Sequence, residues 1–268
     1  MSEKSLLGRK WIFKNFDTDY VNYLKENHSL NNITAKLLSI RKIEKKYIET
    51  FLKPSIKSLI PNPKILKDMD KTTSRIIRAI SKKENIGIFG DYDVDGASST
   101  ALIGRYLNMI NHNFQIYIPD RKSEGYGPSI NGFKKLIDNN ISLIITVDCG
   151  TMSFEAINYA NEKKVDVIVL DHHQSEVNLP KAYSIINPNR IDDESSLNYL
   201  CAAGVCFMTL ISLNSELRKK NWFTDNKINE PNLLEFLDLV SLGTICDVVP
   251  LTGLNRAIVK QGLKILKN

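Results

Sequence analysis

The sequence predicts an α/β protein: a parallel sheet with flanking helices, preceded by a helical N-terminal segment and followed by further helices. Three observations carry that prediction. From Ile86 onward, short runs of Val, Ile and Leu alternate with longer segments whose apolar residues recur at helical spacing. The short runs are nearly continuous in apolar residues, which suits strands covered on both faces. Three of them lead into aspartates, and in an open parallel sheet the carboxyl ends of the strands share one edge, where such folds bind ligands.

Residues 1–85 read as a basic helical segment. Residues 30–38 and 47–52 carry apolar side chains at helical spacing, Pro54 ends the second stretch, and Pro61 and Pro63 mark a loop. Residues 70–83 put Ile76, Ile77 and Ile80 on one side and Lys and Arg elsewhere, an amphipathic helix leading into the core. Strands are expected at 86–89, 114–118, 142–147, 166–170 and 183–186, joined by right-handed crossovers that hold helices near 97–109, 130–139 and 153–162. Helices follow at 200–213, 232–242 and 255–266.

Composition narrows the function classes. A chain of 268 residues, 43% hydrophobic and 25% charged, fits one large or two modest globular domains and excludes a disordered one. Its start is charged, and no apolar run is long enough for a signal peptide or a bilayer span, so the expectation is a soluble, cytoplasmic protein. Cys149, Cys201, Cys206 and Cys246 lack paired zinc-ligand spacing and read as reduced thiols. Net charge is +6, but residues 1–85 hold 19 Lys and Arg against 9 Asp and Glu, while residues 86–268 hold 17 against 21. A basic arm beside an acidic, cation-requiring cleft is what a polyanion-processing enzyme needs; a solvated helical surface would carry the same charges.

The acids themselves are unusual. Asp91, Asp93 and Asp95 occupy alternate positions after the first strand, and Gly96 releases the backbone into a helix. At an effective dielectric of about 20, two carboxylates about 4 Å apart repel by roughly 4 kcal/mol, so three within five residues need water, protons or cations. The third strand runs into Asp148-Cys-Gly and the fourth into Asp171-His172-His173. These residues are expected to meet at the sheet edge around divalent metal, with a solvated turn and the magnesium site of a doubly wound regulatory domain as the competing readings. His172 and His173 are expected to point apart and to differ in role. Asp247 lies beyond the sheet, where Gly243 and Pro250 bracket a turn that either presents it to the cluster or lets it cap a helix.

Gly90-Asp-Tyr-Asp-Val-Asp-Gly, Val147-Asp-Cys-Gly, Asp171-His-His and Gly243-Thr-Ile-Cys-Asp-Val-Val-Pro-Leu resemble the four motifs of the DHH phosphoesterases. The resemblance continues in Lys10-Trp11, Leu37-Leu-Ser-Ile-Arg, Phe51-Leu-Lys-Pro, Asn62-Pro, Glu124-Gly-Tyr-Gly, Ala203-Gly-Val and Asn255-Arg256, and it is to the branch of that family that degrades single-stranded DNA. It implies a DHH metal-binding catalytic domain at 86–250, with 251–268 beginning a linker helix to a C-terminal domain that is missing. It implies two divalent cations, Mn²⁺ or Mg²⁺, with Asp93 and Asp95 each holding one and Asp148 bridging them. His172 and Asp247 would complete the shell, Asp91 would stand at its edge, and His173 would face the scissile phosphate. Phe89 stands where some family members carry a metal-binding histidine. Arg121 and Arg256 are candidates for DNA phosphate contacts, since a guanidinium grips phosphate bidentately.

The function so implied is a two-metal phosphodiesterase and single-stranded-DNA exonuclease, working 5′ to 3′ to mononucleotides in recombination and repair. A monomer is expected, with helicase or single-strand-binding protein as partners and weak, distributive cutting by this chain alone. The alternatives are a phosphoesterase acting on short oligonucleotides or cyclic dinucleotides, and a non-catalytic nucleic-acid-binding fragment. A Rossmann-type nucleotide-binding protein is disfavoured, because no Gly-x-Gly-x-x-Gly follows the first strand.

Overall fold

In this computed structural model, residues 7–9, 12 and 14–267 are described; the Lys10-Trp11 pair lies outside them. The chain forms two units, Met1–Lys53 and Pro54–Asn268. In the first, α1 (Thr18–His28), α2 (Asn32–Ile40) and the short α3 (Ile48–Leu52) bury Val21, Leu24, Ala35, Leu38 and Ile48 against one another. Asp17 caps α1 by accepting from the Tyr20 amide, and Asn31 caps α2 by accepting from that of Thr34. Helix α1 lies within the segment read as helical, but the apolar spacing singled out there began only at residue 30. Only two of its side chains, Val21 and Leu24, are buried, so its apolar period is faint.

The second unit begins with the four-residue α4 (Ile56–Leu59) and the amphipathic α5 (Met69–Lys82). The sheet elements follow: β1 (Ile86–Gly90), α6 (Val94–Met109), β2 (Phe114–Tyr117), α7 (Ile130–Asp138), β3 (Leu143–Val147), α8 (Phe154–Glu162), β4 (Asp166–Leu170) and β5 (Ser184–Ile186). Then come α9 (Ala202–Lys219), α10 (Trp222–Asp225), α11 (Leu237–Cys246) and α12 (Gly253–Ile265). The strands fall where expected. Helix α9 runs to Lys219, beyond the expected 213, and the helix expected at 232–242 is a 3₁₀ turn followed by α11.

Among the described residues the sheet has five strands, all parallel, in the order β2-β1-β3-β4-β5. Side chains alternate between its faces. Ile86, Ile88, Leu143, Ile145, Val147, Ile168 and Leu170 join α5, α6, α9 and α11 in one core, while Phe89, Ile144, Val167 and Val169 join α7 and α8 in the other. This double coverage is why β1, β3 and β4 are so apolar, whereas the edge strand β2 leaves Gln115 and Ile116 exposed. Phe89, in the strand that leads to the first acids, is fully buried between Tyr117 and Phe133.

Strand order and register place the polar residues. Connections leave β1 toward β2 on one side and continue from β3 on the other, so the topological switch point lies between β1 and β3. Gly90 pairs with Val147, Val147 with Leu170, and Leu170 with Ile186. The next residues, Asp91, Asp148, Asp171 and Asn187, therefore form one row across the carboxyl ends. Amide donation from Asp148 to the Leu170 carbonyl and from Asp171 to that of Ile186 extends the ladder into this row.

Candidate metal centre

The loop after β1 is built by close approach. Helix α6 begins at Val94, so Asp91 and Asp93 precede it, with Asp93 as its cap accepting from the Gly96 amide at 2.9 Å, and Asp95 lies in its first turn. A Cβ on Gly96 would sit 2.6 Å from the Asp91 carbonyl oxygen, and one on Gly90 would sit 2.0 Å from the Thr100 hydroxyl. These glycines, Gly90 being the last residue of β1, let the helix pack beneath the acids.

Asp95 is buried, and its two oxygens accept from the first amides of α9, Ala202 at 2.6 Å and Ala203 at 3.0 Å. An 18-residue helix thus aims its positive end at this carboxylate. Gly243, inside α11 rather than at a turn, makes room for it: a Cβ there would lie 2.4 Å from Asp95 Oδ1. Helix α11 then ends at Cys246, and Asp247 caps its carboxyl end, bringing its carboxylate to the cluster from outside the sheet. Buried Asn255, one residue before Arg256, donates to the carbonyls of Tyr199 and Pro250 and so fixes the segment that follows Asp247.

Asp148 is at the centre. It is 1% exposed, its backbone is left-handed at φ 61°, and neither carboxylate oxygen has a hydrogen-bond partner among the described residues. Asp91 Oδ1 and His172 Nε2 are likewise buried without a partner. His172 Nε2 lies 3.3 Å from Asp148, 3.6 Å from Asp247 and 3.8 Å from Asp95. Three sets of donor atoms lie within 4.8 Å of one another: Asp91, Asp93 and Asp148; Asp95, His172 and Asp247; and Asp148, His172 and His173. Asp148 and His172 each belong to two sets, so two neighbouring positions share ligands.

Asp171 has a different job. It is buried, and its oxygens accept from the amides of His172, His173 and Thr151 and from His173 Nδ1 at 2.8 Å. This capture bends the chain after β4 and turns both imidazoles toward Asp148, so the rings lie 4.6 Å apart instead of pointing to opposite sides. They still differ: His172 is 12% exposed and His173 47%. Asn187 and Asn189 hold the bend, donating to the carbonyls of His173 and His172.

Electrostatics follow from burial. Desolvation, then the charges of Asp95 and Asp93, pushes Asp148 far above the usual carboxylate range. Burial also raises Asp91, Asp95 and Asp247, in Asp95 against the pull of the α9 amides and His172. Burial works the same way on Asp171, yet the His173 and Thr151 hydrogen bonds outweigh it and hold that group well below its ordinary value. The same bond to Asp171 raises His173. A buried group of carboxylates, two of them with unpartnered oxygens, is a donor set for a hard divalent cation, and one or two imidazoles extend it toward Mn²⁺.

Of the other candidates, Arg121 is exposed with its guanidinium 5.2 Å from the Tyr92 ring, between Asp91 and Asp93 in sequence. Arg256 is half-buried in the first turn of α12. Tyr126, quoted above only as part of a motif, donates to the Asp148 carbonyl at 3.1 Å and contacts His173. All four cysteines are free, and among the described residues none joins a metal-binding set.

The architecture is an open α/β domain with an acid-and-imidazole centre at its topological switch point. The chain belongs to the DHH family: residues 85–244 match the description DHH family, N-terminal domain. It is 36% identical over 217 residues to the single-stranded-DNA-specific exonuclease RecJ of Dickeya dadantii, covering 81% of this chain and 38% of that one. It is 33% identical over 258 residues to the RecJ of Bacillus subtilis, covering 96% of this chain and 31% of that one. A crystal structure of RecJ from Thermus thermophilus in complex with Mn²⁺ is similar with a TM-score of 0.72 at 27% identity, over 92% of this chain and 33% of that one. The chain thus spans 31–38% of the length of these curated relatives. Among the described residues no helix is long and apolar enough to cross a membrane.

Proposed function

We propose that this chain is the catalytic part of a metal-dependent phosphodiesterase that removes mononucleotides from single-stranded DNA, of the RecJ type. One observation carries the reading: among the described residues both oxygens of buried Asp148 lack a hydrogen-bond partner, and Asp148 shares one group of donor atoms with Asp91 and Asp93 and another with His172 and His173. Leaving such groups unpaired costs several kcal/mol, a cost that makes sense when cations take their place.

Asp91, Asp93 and Asp148 would hold one cation, and Asp95, His172 and Asp247 a second, with Asp148 shared. Bound there, Mn²⁺ or Mg²⁺ would neutralise the phosphodiester and lower the pKa of a water that becomes the nucleophile. The protein's own groups do the rest. Asp95 is locked by the α9 amides, so its position does not relax as charge moves. Asp171 holds His173 by Nδ1 and favours its protonated form, which leaves the ring's other nitrogen as a donor to a phosphate oxygen. Tyr126 braces that ring. Arg121, at the rim, and Arg256 would contact flanking phosphates.

The substrate is the one that the RecJ relatives act on, single-stranded DNA, and the basic residues 1–85 favour a long polyanion over a dinucleotide. The test is a Mn²⁺-dependent assay on a 5′-phosphorylated single strand, its duplex and a dinucleotide. Release of mononucleotides from the single strand in preference to the other two is expected. Cutting of the dinucleotide alone, or no cation-dependent hydrolysis of any of them, would overturn the reading.

A further inference from the structure

A cleft of about 590 Å³ adjoins the acid cluster on the α8 side, within the size range of small-molecule sites. Tyr126, Pro128, Met152 and Phe154 line it, together with His173, which also lies 3.9 Å from Asp148. His173 is therefore common to the cleft and the centre. Tyr126, Met152 and Phe154 remain 55%, 38% and 36% exposed, a cluster of large apolar side chains that the core does not use.

The charges decide what the cleft suits. Among the described residues no Lys or Arg lines it; Glu155 does, and Asp171 is committed to backbone amides and to His173. A phosphate placed there would meet an acid and no permanent cation. A neutral, flat ring would meet an aromatic, a thioether and a phenol. Ser153, which precedes α8 and makes no side-chain cap bond, adds a hydroxyl on the same wall.

We propose that this cleft is a nucleobase subsite. It takes the base of the nucleotide whose phosphate is held at the acid cluster, by stacking and apolar contact with Phe154, Met152 and Tyr126. The inference rests on the phosphodiesterase reading above and adds to it a place for the base. Such contacts tolerate any base, because each has a π-face.

The test compares two ligands differing only in the base, thymidine 5′-monophosphate and deoxyribose 5-phosphate, titrated calorimetrically into the full chain with Mn²⁺. The wild type should bind the nucleotide more tightly by about 5- to 100-fold, the range that base stacking supplies. Phe154→Ala and Met152→Ala should each shrink that preference while leaving deoxyribose 5-phosphate binding and the Mn²⁺-induced melting shift unchanged; Phe154→Trp should keep it. Equal binding of the two ligands by the wild type, or a preference that survives both alanine variants, overturns the subsite alone. If neither ligand binds and no phosphodiester is cut, both readings fall.

Discussion

Replacing Asp148 by Asn should stabilise the metal-free protein and abolish its response to cations. The side chain is isosteric, and Asn tolerates the left-handed backbone at φ 61° at least as well as Asp. Donor oxygens of Asp91 and Asp93 lie within 4.8 Å of Asp148, and at an effective dielectric of about 20 each ionised pair costs roughly 3 kcal/mol. Proton uptake limits the penalty. Holding a proton at pH 7 on a carboxyl of ordinary pKa 3.8 costs about 4 kcal/mol, so removing the acid should return about 2–4 kcal/mol. For a chain of this size that is a rise of about 4–15 °C in the melting temperature without metal. Millimolar Mn²⁺ should then raise the wild type and leave Asp148→Asn nearly unmoved, with any cation-dependent phosphodiester hydrolysis lost. Scanning calorimetry with and without Mn²⁺ reads both effects. A variant that melts below the wild type without metal, and that Mn²⁺ stabilises as much as the wild type, would refute the charge argument.

Gly243→Ala places a methyl 2.4 Å from Asp95 Oδ1 and 2.8 Å from the Ala203 Cβ, so it should cost about 1–3 kcal/mol and weaken Mn²⁺ binding at least tenfold, measured by chemical denaturation and metal titration; unchanged metal affinity would count against the role given to α11. Glu124 is held down to about 2 by the Tyr117 hydroxyl, the Asp120 amide and the Lys135 ammonium. Because that lies below its ordinary 4.5, its contribution to order in residues 118–129 is full above about pH 4.5 and fades as pH falls toward 2. Hydrogen exchange of that segment, corrected for intrinsic rates, should lose protection between about pH 4.5 and 2 in the wild type but show no such step in Glu124→Gln.

Strands β1, β3 and β4 were legible because they are buried on both faces: a run such as Leu143-Ile-Ile-Thr-Val has an abrupt edge where it meets Asp148, and that edge marks both the strand end and the site. Asp93, Asp95, Asp148, His172 and Asp247 could be gathered into one neighbourhood from that pattern together with the family resemblance. Helix α1 was not, since Val21 and Leu24 are too few to make a period; the Asp17 cap was its only other signal. The difference between Asp171 and Asp148 was equally hidden. Both follow a strand in the same register, and what separates them is a bend that turns one carboxylate onto backbone amides and leaves the other without donors. Gly243 looked like turn punctuation, because the group it clears, Asp95, is distant in the chain and leaves no local trace.

The grip of α9 on Asp95 spans 107 and 108 positions of sequence, so the amino-terminal half of the domain cannot finish its own chemistry. As the chain emerges from a ribosome, the sheet can pair through β5 while that carboxylate still waits for its amides. Only when α9 docks and α11 closes over it are all the donor groups of the centre in place. Metal capture would thus be a late event in biogenesis, a checkpoint passed by molecules whose last helices have settled.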